Sequence, residues 1–216
     1  MSETPKENYI KIVEHYELCF EKHGDGHRGV DWPNQHDLRK RFQVMTDLVL
    51  LKGPCSLLDF GCGSGLLLQW LEEKDLTYAI DYSGCDMSEK FIHFCKQKYR
   101  EEDNDFFQID ALKTPDLLAK YDYIIMNGVF TMKLELSQEE MWDHFTKLIT
   151  VLFQKANKGI AFNLMSKQVD WERSDLFHVS LDQLARFLTK NLSRHFVIRN
   201  DYGLYEYTVY LYKEAV

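Results

Sequence analysis

Apolar residues along this chain recur in two periods, helical at first and then alternately strand-like and helical. Tyr9, Ile12, Val13, Tyr16 and Phe20 lie at 3.6-residue spacing and predict a first amphipathic helix. Thr4-Pro5-Lys6-Glu7 before them is a capping box with proline at the first helical position. The next stretch, HGDGHRGVDWPNQ, is rich in glycine and has no period, so it reads as a loop. Asn34 is placed to cap a second helix carrying Leu38, Phe42, Met45, Leu48 and Val49 on one face, stopped by Gly53-Pro54. From Cys55 the pattern changes. Short apolar runs at 56–60, 82–85, 105–109, 121–126 and 159–165 predict strands, and YDYIIM reads as a central strand covered on both faces.

Helical periods fill the gaps between these runs. One covers 66–74, and another carries Phe91, Ile92, Cys95 and Tyr99. Ser137-Gln138-Glu139-Glu140 and Ser180-Leu181-Asp182-Gln183 open two more. Strands at 196–199 and 205–212, joined by a short turn containing Gly203, must run antiparallel. The expected fold is α/β: a doubly wound, mostly parallel seven-stranded sheet with an antiparallel C-terminal hairpin strand. Residues 1–54 are expected as a helical extension or lid, and 55–216 as the main domain.

Composition narrows the partners. With 34 acidic against 26 basic side chains the net charge is −8, which argues against a broad phosphate-binding surface and so against nucleic acid. The 5 cysteines form no CxxC pair, and their odd number fits reduced thiols. No apolar run approaches the roughly 20 residues of a membrane span, and the polar start MSETPKENY is no signal peptide. These features predict a cytoplasmic protein off the membrane. No metal site is expected, and the oligomeric state is left open.

The chemistry is concentrated where the first strand meets its helix. Asp59 is followed by Gly61, Cys62, Gly63 and Gly65, the pattern acid-x-Gly-x-Gly-x-Gly. A glycine turn leading into a helix N-terminus lets the backbone approach a ligand and gathers unpaired N–H groups at one point. Leu66 stands where a dinucleotide fingerprint GxGxxG requires its last glycine. Asp86 ends the second strand, where a carboxylate can accept both hydroxyls of a ribose, and Asp110 ends the third. Read singly, each acid could equally be a helix N-cap.

In this arrangement the chain resembles the class I S-adenosylmethionine-dependent methyltransferases, with a Rossmann-like fold. The resemblance spans about 55–213. It implies S-adenosyl-L-methionine as cofactor and S-adenosyl-L-homocysteine as product. It further implies Asp86 on the adenosine ribose, Met87 against the adenine, and Asp110 with the Ala111 backbone at the adenine edge. Asn127 and Gly128, in MNGVF, fall where the family lines the methyl-transfer site. The family's Asn/Asp-Pro-Pro-Tyr/Phe signature for planar amines is absent there. The segments HGDGHRGVDWP, DLFHVSLDQL and RNDYGLYEYTVYLYK also resemble a bacterial subgroup of small methyltransferases.

The expected reaction is in-line methyl transfer to O or N of a small-molecule or sugar-like acceptor. Among the 8 histidines, His178 is the first candidate base, followed by His27 and His36; the plain alternative for each is a surface or capping role. Trp32 and Arg41 flank the lid loop, and Arg41 could pair with the cofactor's carboxylate or simply lie on a solvated helix face. Tyr202, Tyr205 and Glu206 could line the acceptor pocket or sit on a sheet edge. Two other classes stay open: a non-catalytic cofactor-binding regulatory protein, and a nicotinamide-dependent oxidoreductase, against which Leu66 and the terminal hairpin both count.

Overall fold

The computed structural model describes residues 9–49, 53–100 and 104–215. The proposed capping box at Thr4 to Glu7 lies outside the described residues. Helix α1 covers Ile10–His23 and α2 covers Gln35–Thr46, with the loop between them where the glycines predict it. Asn34 caps α2 as expected, its side chain accepting from Asp37 N at 2.8 Å.

The alternating part follows as β1 (Cys55–Phe60), α3 (Leu66–Glu73), β2 (Ile80–Asp86), α4 (Glu89–Lys98), β3 (Asp105–Gln108) and β4 (Tyr121–Met126). Then come α5 (Gln138–Lys155), β5 (Ala156–Ser166), β6 (His178–Val179), α6 (Leu181–Asn191), β7 (Phe196–Arg199) and β8 (Glu206–Tyr212). The box at Ser137 is complete: its hydroxyl accepts from Glu140 N, and the Glu140 carboxylate accepts from Ser137 N.

The strand order is β3-β2-β1-β4-β5-β8-β7, with β6 pairing the end of β5. All pairs are parallel except β5 with β8 and β8 with β7. Among the described residues, β6 alone of the strands is not expected from the pattern; at two residues it is too short to show a period. Alternation along the central strands sends Leu58, Ile124 and Met126 to a core under α5 and α6, and Leu57, Tyr123 and Ile125 to one under α2 and α3. Both faces of the sheet are covered, which explains why β4 reads as an unbroken apolar run. At the far end the sheet-edge alternative for Glu206 is excluded. β8 lies between β5 and β7 and is buried throughout, so Glu206 is not on a sheet edge.

Candidate active site

The turn after β1 is built from backbone. Gly61, Gly63 and Gly65 all have positive φ, at 77°, 53° and 76°. Gly61 N and Cys62 N both donate to Cys85 O, at 2.8 and 3.0 Å, which ties the turn to the end of β2. A side chain is excluded at Gly61, where a Cβ would lie 2.7 Å from Val129 Cγ2. At Gly65, the N-cap of α3, a Cβ would meet Tyr99 Cε2 at 2.7 Å. The Tyr99 hydroxyl in turn donates to Gly65 O at 2.8 Å.

Asp86 closes one side of this turn. Its carboxylate accepts from Gly63 N at 3.0 Å and from Ser88 N at 2.9 Å, and burial pushes its pKa up. Asp86 lines a cleft of about 140 Å³ together with Gly61, Gly63, Met87, Asn127 and Gly128. The cleft is roofed by Tyr9, Ile12, Val13 and Tyr16 of the N-terminal segment and by Val30 and Trp32 of the loop. Asn127 Oδ1 is buried there with no hydrogen-bond partner among the described residues.

The other acids stand elsewhere. Asp59 is buried beneath the turn, where it accepts from Tyr82 OH at 2.8 Å, and burial raises its pKa to about 7. It does not line the cleft, and neither does Cys62, whose side chain packs into the core near Cys95. Asp110 accepts from Tyr9 OH at 3.0 Å and from Leu112 N at 3.1 Å. Neither Asp110 nor the buried Ala111 lines the cleft. What Asp110 does hold is the start of the roof.

A second cavity, of about 490 Å³, adjoins the first, with Tyr16 and Trp32 lining both. Its floor is the carboxyl end of β5, β6 and the turn before β8, represented by Met165, His178, Leu204 and Tyr205. Arg41 lines it too, and the solvated alternative for this residue is overturned: it is 8% exposed. Its carboxylate partner within the chain is Glu206, with Nε 2.9 Å from both oxygens and Nη2 2.8 Å from Oε2. Glu206 also accepts from Asn163 Nδ2 at 3.0 Å, and Asn163 Oδ1 accepts from Gly128 N at 2.8 Å. The Arg41 guanidinium lies 3.8 Å over the Trp32 ring. A Cβ on Gly128 would meet the same indole at 2.9 Å.

Two buried polar atoms on residues lining this cavity have no partner among the described residues: Arg41 Nη1 and His178 Nε2. Leaving such an atom unpaired costs about 1–3 kcal/mol, so each calls for a partner, an ordered water or a ligand atom. His178 Nδ1 is 2.6 Å from Ser166 O. A carbonyl only accepts, so Nδ1 carries the proton, and in the neutral ring Nε2 keeps its lone pair. His27 and His36 line neither cavity. Of the hairpin candidates, Tyr205 lines the cavity, Glu206 stands behind Arg41, and the Tyr202 hydroxyl is shared with Thr208 at 2.9 Å.

Sequence reasoning missed the pairing of Arg41 with Glu206, which joins residues 165 positions apart. The available signal was a single charge in the buried run EYTVYLY, since a buried carboxylate requires a partner.

Residues 58–150 match the family profile described as a methyltransferase domain. With the sheet order and the glycine turn ahead of α3, the match supports a class I, S-adenosylmethionine-dependent methyltransferase. Among particular proteins, it is 26% identical over 164 residues to a protein of Mycobacterium tuberculosis named "Putative methyltransferase Rv1506c"; the alignment covers 75% of this chain and 95% of that one. The fold is similar to magnesium protoporphyrin IX methyltransferase from Synechocystis PCC 6803, solved with bound S-adenosylmethionine: TM-score 0.61 and 17% identity, covering 99% and 100% of the two chains. It is also similar to an S-adenosylmethionine-dependent methyltransferase of Leishmania major, with TM-score 0.66 and 16% identity over 97% and 87% of the chains. Among the described residues, no helix is long and apolar enough to cross a membrane.

Proposed function

We propose that this methyltransferase acts on O or N of a small-molecule acceptor, with the cofactor in the smaller cleft and the acceptor in the larger cavity. The observation that carries this reading is the common wall: Tyr16 and Trp32 line both spaces, so donor and acceptor would meet across them. Asp86 would hold the ribose hydroxyls, Met87 the adenine face, and the turn from Gly61 to Gly65 the methionine portion. When bound, the cofactor supplies an already activated sulfonium methyl for in-line displacement. The protein's part is then alignment, exclusion of water and removal of a proton. His178 Nε2 is the group to take that proton from an acceptor hydroxyl or ammonium. Asn127, with its unpartnered carbonyl oxygen in the cleft, would position the transferring end.

Residues 1–54 act in this reading as a cover over the cleft. The space beneath α1, about 140 Å³, is below the roughly 300–1,000 Å³ of ordinary ligand sites. Cofactor exchange therefore requires α1 to move away from Asp110 and the glycine turn.

A thermal-shift panel of S-adenosylmethionine, S-adenosylhomocysteine and NAD(H) tests the assignment of the cleft. A ligand at 100 times its Kd stabilises by about 2.7 kcal/mol. Stabilisation by the sulfur ligands alone is expected, and its absence would refute the reading. With an acceptor in hand, His178→Gln should lower kcat by about 10²–10⁴ at unchanged S-adenosylhomocysteine affinity. Cofactor binding with no turnover on any acceptor would instead support the non-catalytic regulatory reading.

A further inference from the structure

We infer that the acceptor is a phenol bearing a carboxylate, held at one end by Arg41 and deprotonated at the other by His178. This rests on the larger cavity being the acceptor site and deepens that reading. Arg41 is permanently charged and spends its Nε and Nη2 edge on Glu206, which leaves Nη1 buried and unpartnered. That nitrogen can only donate, so it calls for an anionic or carbonyl oxygen. His178 Nε2, fixed as an acceptor by the bond from Nδ1 to Ser166 O, calls for a proton donor.

The two sites are held apart by the sheet. Glu206 and His178 both pair in register with Met165, one from each side, so all three side chains emerge on one face. At about 4.8 Å per strand, Glu206 and His178 stand about 10 Å apart at their Cα atoms, with Met165 between them. A ligand reaching from one to the other must lie across Met165.

The walls favour a flat body. Met132 and Met165 supply thioethers, and Tyr16, Trp32 and Tyr205 supply aromatic rings, surfaces that suit an aryl group. Acidity points the same way, because a phenol ionises near pH 10 and lies within reach of a neutral imidazole base. Local charges leave room for the carboxylate. Glu206 is already met by Arg41 and Asn163, Asp31 faces His15 at 2.8 Å, Asp37 accepts from Asn34 Nδ2 at 2.7 Å, and Asp170 is exposed to solvent. Arg28 adds positive charge at the exposed rim. In the reaction the phenolic O–H proton passes to His178 Nε2. The oxygen lone pair forms the new O–CH₃ bond as the S–CH₃ bond breaks, its electrons remaining on sulfur to give S-adenosylhomocysteine.

Calorimetry with S-adenosylhomocysteine present tests this. The probes are 4-hydroxybenzoate, 4-hydroxyphenylacetate and 4-hydroxycinnamate, each against its methyl ester. At least one acid should bind tenfold or more tightly than its ester. The paired replacement Arg41→Gln with Glu206→Gln removes both charges together and should reduce that preference below twofold, with S-adenosylhomocysteine affinity retained. If the pair fails to fold, Arg41→Lys keeps a charge beside Glu206 but removes Nη1, and should lose the preference equally. S-adenosylhomocysteine binding with no acid preferred over its ester overturns this inference and leaves the cofactor assignment standing. A preference that survives in both variants also overturns it. Failure of S-adenosylhomocysteine to bind removes the underlying reading as well.

Discussion

The two cavities that meet at Trp32 are made in different ways. The smaller one has a side drawn by backbone between residues 59 and 88, from three left-handed glycines, the end of β2 and a helix N-terminus, beneath a roof of side chains from the N-terminal segment. The larger one is drawn by side chains from distant segments, Arg41 of α2, Met165 of β5, His178 of β6 and Tyr205 before β8. A backbone cradle fixes one ligand shape with little dependence on side-chain identity. A cavity of side chains can change its ligand by single substitutions while the sheet beneath stays as it is. The first region should therefore resist change of ligand, and the second should resist only loss of its buried charges.

Substitution can break this contrast, beginning with the largest effect. Glu206→Gln strands the buried Arg41 charge and should cost about 3–5 kcal/mol in denaturant unfolding. The folded remainder should bind S-adenosylhomocysteine within about threefold of wild type, a ratio that follows if the charges serve only the second cavity.

Asp59 lies under the cradle and gives a pH signature. Its folded pKa, about 7, stands above the ordinary carboxylate value of 3.8, so the folded form binds the proton more tightly. The stability from this group is complete below about pH 4 and is lost as pH rises through 7. Asp59→Asn should abolish that decline and leave the variant the more stable protein at pH 8. The gain is at most roughly 4 kcal/mol, because each pH unit separating the folded and unfolded titrations is worth about 1.4 kcal/mol. Parallel melting curves from pH 4 to 8 for the two proteins would contradict the buried-acid account.

If Asp86 holds the ribose as proposed, Asp86→Ala should weaken S-adenosylhomocysteine by about 100-fold, near 2.7 kcal/mol, the worth of two charge-assisted hydrogen bonds. Binding of the acceptor probes measured without cofactor should stay as it was. Retained S-adenosylhomocysteine affinity would show that the ribose does not lie on Asp86. Ser137→Ala is the smallest change and touches neither cavity. Losing one side of its capping box should cost about 1 kcal/mol in unfolding and leave both affinities unchanged.

What could be read from the sequence follows the same division. The pattern from Asp59 to Gly65, Asp86 at the end of its strand, and the boxes at Ser137 and Ser180 are local, and local chemistry survives in a string of letters. The partners of Asp110 and Arg41 are set by long-range packing: Tyr9 lies 101 residues from the first, Glu206 165 from the second. An arginine beside Lys40 on a polar stretch of helix looks solvated until β8 is seen to be an interior strand. His178 was legible as a position after the fifth strand. The carbonyl that fixes its tautomer was not, because β6 is two residues long and carries no period.

Gly128 decides more than its own conformation. The indole of Trp32 rests where a methyl group on that residue would be, and the Arg41 guanidinium lies along the same ring. The partition between the two chambers therefore stands where it does because one carbon atom is missing. Adding that carbon would press on the indole and strain the backbone at φ 83°, so the partition could not stay where it is. The division of space between the two chambers is set at a single residue of the MNGVF loop.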